Sequence, residues 1–438
     1  MKRFIMIGAG VLIASGALTG ARAISLRQAQ TEMFFRNLEL KAARQEYCQK
    51  DYEIEEAKSV WYPSLDLFGS FNYQSKINSI ELPFRIGTVP QEPLAIGIYN
   101  RLDMGAELSY PVTGAIVNIW NVRSRRLGLQ TKSAQDMTLR NQLSFRLGNM
   151  YLLWSLSYSQ AAVKKLLVAQ YEATIAQLEN LRAGGLSPVS KVLEARAGLE
   201  NARTQLVIEE NRADSLRLEV ANFIGSEDPA IVPEPYDFMR DSLARRSLDT
   251  LSMNEYRPEL AAFDLGIDQL LAYDDVLTGR KYPNLFLSAS YHYGRPELQM
   301  SNDPDFMGYA AAGVQVRFNL FDGKRILSQQ QQTQQQIEVL RSRRRLAVSD
   351  FNNAIVSAKM QFARARRQKE AAQASYEAAA AVAKDMKNSF EAGLATSLDY
   401  QNALTSEAMA QLGVKQAEFL EKTSLLKVYF AVGREIKF

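Results

Sequence analysis

One histidine and one cysteine are all that this chain offers to imidazole or thiol chemistry. They are His292 and Cys48, and spacing nominates no partner for either. A lone cysteine excludes an internal disulfide, and a Cys/His metal site lacks the ligands to form. The acidic residues scatter along surfaces that read as helical, with no paired set for general acid–base work. No catalytic constellation, cofactor motif or metal site is expected. Arginine-rich patches such as Arg343-Arg344-Arg345 read as solvated helix faces, because a net charge of +4 over 438 residues gives no nucleic-acid signal. What remains is the chemistry of surfaces: which side is apolar, which is wet, and where charge collects.

The amino terminus sets the compartment. Lys2 and Arg3 precede an apolar run from Phe4 to about Leu18, and Ala21-Arg22-Ala23 has the small-x-small form of a cleavage site. Residues 1–23 therefore read as a secretory signal peptide. Cys48 lies inside the mature chain, so acylation of a first-residue cysteine is not expected. No later segment reaches the roughly 18–20 apolar residues of a spanning helix, so any membrane crossing after export falls to strands.

The elements come in two copies. Residues 62–73, YPSLDLFGSFNY, return at 282–293 as YPNLFLSASYHY. The segment Gly185–Gly225 aligns without a gap on Gly393–Gly433, sharing Leu186/Leu394, Ala195/Ala403, Ala202/Ala410 and Leu218/Leu426 among others. Each half reads as helix, strand, strand, long helix, return helix. The first repeat spans 24–226: a helix over 24–61, strands at about 62–74 and 102–112, and helices over 115–184 and 188–225. A linker over 227–256 follows. The second repeat, 257–438, has a helix over 257–280, strands at about 282–293 and 309–321, and helices over 324–392 and 396–433. No proline falls in 112–187 or after Pro304, which leaves room for helices on the order of 100 Å long.

In all four strands apolar and polar residues alternate. Leu65, Leu67, Phe71 and Tyr73 oppose Ser64, Asp66, Ser70 and Asn72, with Phe68 as the exception; Leu285, Leu287, Ala289, Tyr291 and Tyr293 oppose Asn284, Ser288, Ser290 and His292. About ten residues with one apolar and one polar face suit a strand tilted across a bilayer around a wet interior. His292 then faces the lumen. Pro63 and Pro283 turn helix into strand, while Thr113-Gly114 and Asp322-Gly323 supply capping residues for the return to helix. Trp61, Tyr62 and Tyr282 fall at that junction, as membrane-interface aromatics do. Four strands cannot close a barrel and lipid tolerates no open edge. Two copies give eight strands, too narrow for cargo, and three give twelve, so a homotrimer is expected. The rival reading is a non-porous periplasmic coiled-coil scaffold or adaptor with a soluble β-domain.

Several motifs join this pattern: Arg182-Ala183-Gly184-Gly185-Leu186-Ser187, Phe390-Glu391-Ala392-Gly393-Leu394-Ala395-Thr396, Leu320-Phe321-Asp322-Gly323, and the alanines at 195 and 403. With them the chain resembles the TolC-like outer-membrane efflux proteins over nearly its whole mature length. The resemblance implies a mainly α fold with transmembrane β. Three copies form a 12-stranded β-barrel in the outer membrane, continued by a long α-helical barrel in the periplasm. It implies a passive exit duct of a tripartite efflux pump or type I-like secretion system, working with a periplasmic adaptor and an inner-membrane pump. The segments 75–101 and 294–308 become extracellular loops, and 227–256 an equatorial insertion. Gly185, Leu186 and Ser187, with Gly393, Leu394, Ala395 and Thr396, become adaptor-contact tips. Asp399 takes the position of a carboxylate that rings the periplasmic entrance. Here the chain departs from the family pattern: Asn402 stands where a second acid is usual, Ala395 replaces a basic residue, and Lys191 is the first-half equivalent of Asp399.

Overall fold

The computed structural model describes residues 22–80, 94–226, 230–235, 252–253, 257–295 and 305–438. Nearly all of the expected signal peptide lies outside them, as do the middles of both expected extracellular loops and most of the 227–256 linker. In chain order the described elements begin with β1 (Arg22–Ile24), α1 (Leu26–Arg36), α2 (Leu38–Ser59), β2 (Ser64–Tyr73), β3 (Asn78–Ile80), β4 (Leu94–Ile96) and β5 (Asn100–Pro111). Then come α3 (Val112–Ala183), α4 (Val189–Ile224), β6 (Ile231–Pro233) and α5 (Pro258–Gly279). The chain ends with β7 (Asn284–Arg295), β8 (Met307–Arg317), α6 (Arg325–Glu391) and α7 (Ser397–Val432). Contacts divide it into two units, residues 42–138 with 256–350, and the remainder.

The first of these units carries a four-stranded sheet of order β2-β5-β7-β8, antiparallel throughout. Both halves enter it by the same turn. The N–H groups of Trp61 and Tyr62 bond back to Lys58 and Ser59, and those of Lys281 and Tyr282 to Thr278 and Gly279. The three-residue step tightens the helix end, and the proline that follows cannot continue it. The exits differ. Asp322 behaves as a cap, its Oδ2 accepting from the Ile326 N–H at 3.1 Å, with Gly323 and Lys324 both at positive φ (66° and 67°). Thr113 does not: α3 follows β5 without a gap, and the Thr113 hydroxyl accepts instead from the Leu285 N–H at 3.1 Å. Facing strand β7, that hydroxyl ties the two halves together. Beside the sheet, Ile54 and Ala57 of α2 pack on Val122 of α3, and the Asn118 side chain donates to the Ala57 carbonyl.

The other unit is helical. Trp154, Tyr151 and Leu147 of α3 are buried with Ile224 of α4, Leu425 and Leu426 of α7, and Met33 of α1. Its strands β1 and β6 pair in parallel, and the Tyr151 hydroxyl lies between the Ile24 and Glu234 carbonyls at 2.7 and 2.8 Å. Cleavage after Ala23 would leave Ile24 alone of β1. The sequence leads one to expect a single helix over 24–61, but Asn37 breaks it. Its ψ of 131° is extended, its Oδ1 caps α2 through Glu39 and Leu40, and its Nδ2 donates to the Phe223 carbonyl of α4 at 2.9 Å. Asparagine competes well with the helix ladder, and here a tertiary partner fixes the outcome.

A second cluster joins α3, α4, α6 and α7 through Tyr171, Leu178, Ala195, Leu199, Phe390, Tyr400 and Leu404. At its centre Tyr171 reaches Thr405 of α7 at 3.1 Å, and its ring lies where a side chain on Gly198 of α4 would start, 2.7 Å from that point. Alanine is the better helix former by roughly 1 kcal/mol, yet the rigid ring must move to admit it. Gly198→Ala is therefore expected to lower stability by about 1–3 kcal/mol, read from unfolding in detergent; a raised thermal midpoint would refute the close-packing argument.

Candidate functional site

Directly paired residues of antiparallel strands project to the same side, so register sorts the sheet into two faces. One face is apolar through its middle rows, with Asn100 and Arg295 on it only at strand ends. Leu67, Ala106, Tyr291 and Ala310 form one row, and Leu65, Leu108, Ala289 and Ala312 the next. No described residue covers this face: Leu67 is 82% exposed and Val314 67%. The other face carries Ser64, Ser109 and Ser288, then Asp66, Glu107 and Ser290. An uncovered apolar face on a sheet whose reverse is polar is what a lipid-facing wall requires. No described helix is long and apolar enough to cross a membrane.

His292, left without a partner by sequence spacing, has several on the polar face. Its Nδ1 lies 3.2 and 3.3 Å from the two oxygens of Asp103. A carboxylate only accepts, so Nδ1 holds the proton in this contact. The ring stacks on Tyr309 at 4.8 Å and meets Phe68 at 4.9 Å. Phe68, the exception to alternation in β2, lies over Gly105 and so reaches across β5. The pairing of strands 189 residues apart supplies the Asp103 contact. The register of the two hairpins was the one signal that could have found it.

At the junction, Trp61 donates from its indole nitrogen to the Ala115 carbonyl at 3.0 Å, while Tyr62 and Tyr282 are 72% and 57% exposed. They sit in equivalent turns, immediately before the two prolines.

The helical unit brings both Gly-Leu turns into one local form. Gly185 and Gly393 have φ of 75° and 73°, and the next N–H, of Leu186 and Leu394, reaches back to Leu181 and Ser389 at 2.8 Å. This is the helix end that glycine permits, with a residue in the left-handed region closing the last turn. Leu186 and Leu394 are exposed, as are Thr396 and Asn402, while Ser187 and Ala395 are half-buried. Asp399 is the third residue of α7. It closes a capping box, its Oδ2 accepting from the Thr396 N–H at 3.2 Å and the Thr396 hydroxyl at 2.5 Å. Lys191, third in α4, pairs with Glu194 at 2.9 Å rather than with Asp399, yet stays near enough to act on it. Hydrogen bonds from Thr396, then the Lys191 charge, hold the Asp399 carboxyl below its ordinary range.

The architecture defines a wall protein, mainly helical, that meets lipid on a short amphiphilic sheet. Residues 32–226 and 252–434 match the family described as outer membrane efflux protein, and the chain belongs to that family. Its place is the outer membrane and its work is efflux. Solved structures agree on the fold. The outer membrane protein VceC of Vibrio cholerae superposes with a TM-score of 0.69 at 17% identity, covering 93% of this chain and 96% of its own. The CmeC channel of Campylobacter jejuni gives 0.70 at 16%, covering 99% and 94%. The MtrE channel of Neisseria gonorrhoeae, in its open state, gives 0.70 at 14%, covering 98% and 96%. No curated protein sequence matches the chain.

The capping box makes a pH prediction. A carboxyl held below its ordinary range stabilises the fold at neutral pH, and that contribution is lost as pH falls through the lowered value. Asp399→Ala is thus expected to lower the thermal midpoint at pH 7, with the gap to wild type closing in strong acid. A gap that does not change with pH would assign the effect to packing.

Proposed function

We propose that the protein is the exit duct of a tripartite efflux pump or a related type I-like secretion system, working as a homotrimer. One observation carries this reading: the sheet's apolar face is uncovered and, among the described residues, both outer strands, β2 and β8, lack a strand partner on one side. In hydrocarbon an unpaired backbone group costs several kcal/mol, so the edges must be closed by other copies. Three copies supply twelve strands around the face that bears Asp66, Glu107 and His292. Transport through the duct is passive, driven by an inner-membrane pump. The paired turns Gly185–Ser187 and Gly393–Thr396 meet the periplasmic adaptor, since each presents an exposed leucine on a rigid, glycine-closed helix end. Asp399 and Asn402, with Lys191 nearby, line the periplasmic entrance. A carboxylate fixed in a capping box contributes a negative charge of set position there at neutral pH. Trp61, Tyr62 and Tyr282 mark the level of the lipid headgroups.

Purified in detergent, the chain is expected to run as three copies and to carry discrete currents in planar bilayers. A monomer, soluble without surfactant and electrically silent, would falsify this reading. Leu67→Lys places a charge mid-strand on the apolar face and should cost about 2–4 kcal/mol of stability in vesicles. A soluble β-domain would accept that change with little loss.

A further inference from the structure

The internal duplication specifies how one copy joins the next, residue by residue. Within the chain, hairpin β2–β5 meets hairpin β7–β8 along a single seam, β5 against β7. The two hairpins are repeats: Leu65 pairs with Leu108 as Leu285 pairs with Val316. The second strand of one hairpin therefore already has a native way of pairing with the first strand of the following hairpin. We propose that the seam between copies repeats it, with β8 of one copy against β2 of the next, Gln315 opposite Ser70, Arg317 opposite Phe68 and Val314 opposite Phe71. This follows by carrying Glu107↔Ser290, Ser109↔Ser288 and Ala106↔Tyr291 across the repeat. The proposal rests on the multi-copy barrel above and adds its register.

Three observations agree with it. The register keeps the faces intact: Val314 and Phe71 are both apolar-face residues, Gln315 and Ser70 both polar-face. A shift by one residue would turn every side chain of β2 to the wrong side. Beyond β8, the alternation continues through Phe318, Asn319 and Leu320, which β7 does not reach and which have no strand partner among the described residues. Phe318 and Leu320 are 50% and 86% exposed. The proposed seam sets these residues against the start of the next β2, Phe318 opposite Leu67 and Leu320 opposite Leu65, and ends at Ser64, where β2 begins. Finally, Asp66 and Glu107 stand directly opposite one another, an unfavourable like-charge pair. No ion pair among the described residues relieves them, and Arg317 also has none. In the seam, Asn319 faces Asp66 of the next copy and Arg317 lies on its diagonal, within reach of a long side chain.

The test is disulfide mapping of the full chain in outer-membrane vesicles, in a Cys48→Ser background. Two in-register pairs, Ser70→Cys with Gln315→Cys and Phe71→Cys with Val314→Cys, cover both kinds of antiparallel position. Directly opposite Cβ atoms lie about 4.5–5.5 Å apart and diagonal ones about 7–8 Å, against the roughly 3.5–4.5 Å that a disulfide needs. Oxidation is expected to shift at least one in-register pair into two- and three-chain species. The displaced pairs, Ser70→Cys with Gly313→Cys or with Arg317→Cys, should stay mostly single. Crosslinking that is stronger in a displaced pair overturns the register while leaving the trimer standing. Absence of multi-chain species in every pair, with three copies still seen by mass, overturns the β8–β2 seam. A chain that is monomeric by mass takes the duct reading down as well. As a second arm, Arg317→Asp should reduce recovered trimer, and Asp66→Arg added to it should restore trimer. A double variant no better than Arg317→Asp alone contradicts the charge contact.

Discussion

A backbone amide in hydrocarbon has no water to bond, and this constraint governs the whole chain. It rules out loose strands and open edges, leaving helices or closed sheets as spanning structures. No described helix is apolar enough for that role, so the burden falls on four strands of 10–12 residues. Closure then belongs to the assembly. The exposed leucines, valines and aromatics of one face are misplaced only for a chain considered alone. Once lipid is the solvent on that side, they are its buried surface.

The same constraint explains why duplication suits this fold. A single hairpin has two open edges; joining it to a copy of itself satisfies one pair and leaves the problem unchanged in form. The β5–β7 contact is thus both a product of duplication and a pattern that further copies can extend. Thr113 reinforces it by accepting from Leu285 where the two halves meet. Its counterpart in the second half, Phe321, carries no hydroxyl, so the two strand ends have diverged in role despite a shared origin.

Much of this was legible in the residues. Period-two alternation revealed the two-faced strands because sheet geometry leaves no other use for it. The Tyr-Pro pairs revealed the switch from helix, since proline acts locally and without help from tertiary contacts. Elements that depend on distant partners were not legible. Asn37 interrupts a helix-forming stretch because Phe223 offers its carbonyl there. Strand β1 exists only through β6, about two hundred residues later. His292 looked isolated because Asp103 belongs to the other repeat. At the two Gly-Leu turns, sequence pointed to the glycines and to Asp399 but not to the bond from Asp399 to Thr396, which makes that carboxylate a helix cap.

The two Gly-Leu turns show how repeats can diverge without losing their common geometry. Lys191 and Asp399 hold the same third position in α4 and α7. Helix N-termini favour negative charge, so Asp399 suits its place and Lys191 opposes its own. Pro188 adds no side-chain hydrogen bond to the start of α4, whereas Thr396 closes a full box at the start of α7. Two features make the mismatch tolerable: Glu194 lies one turn further along α4 and pairs with Lys191, and Asp399 is near enough to feel the same ammonium. The weaker helix start is thus compensated partly by its own next turn and partly by the repeat beside it. Removing Lys191 would improve the start of α4 while withdrawing a minor contribution to the Asp399 charge, whose main support is the Thr396 cap.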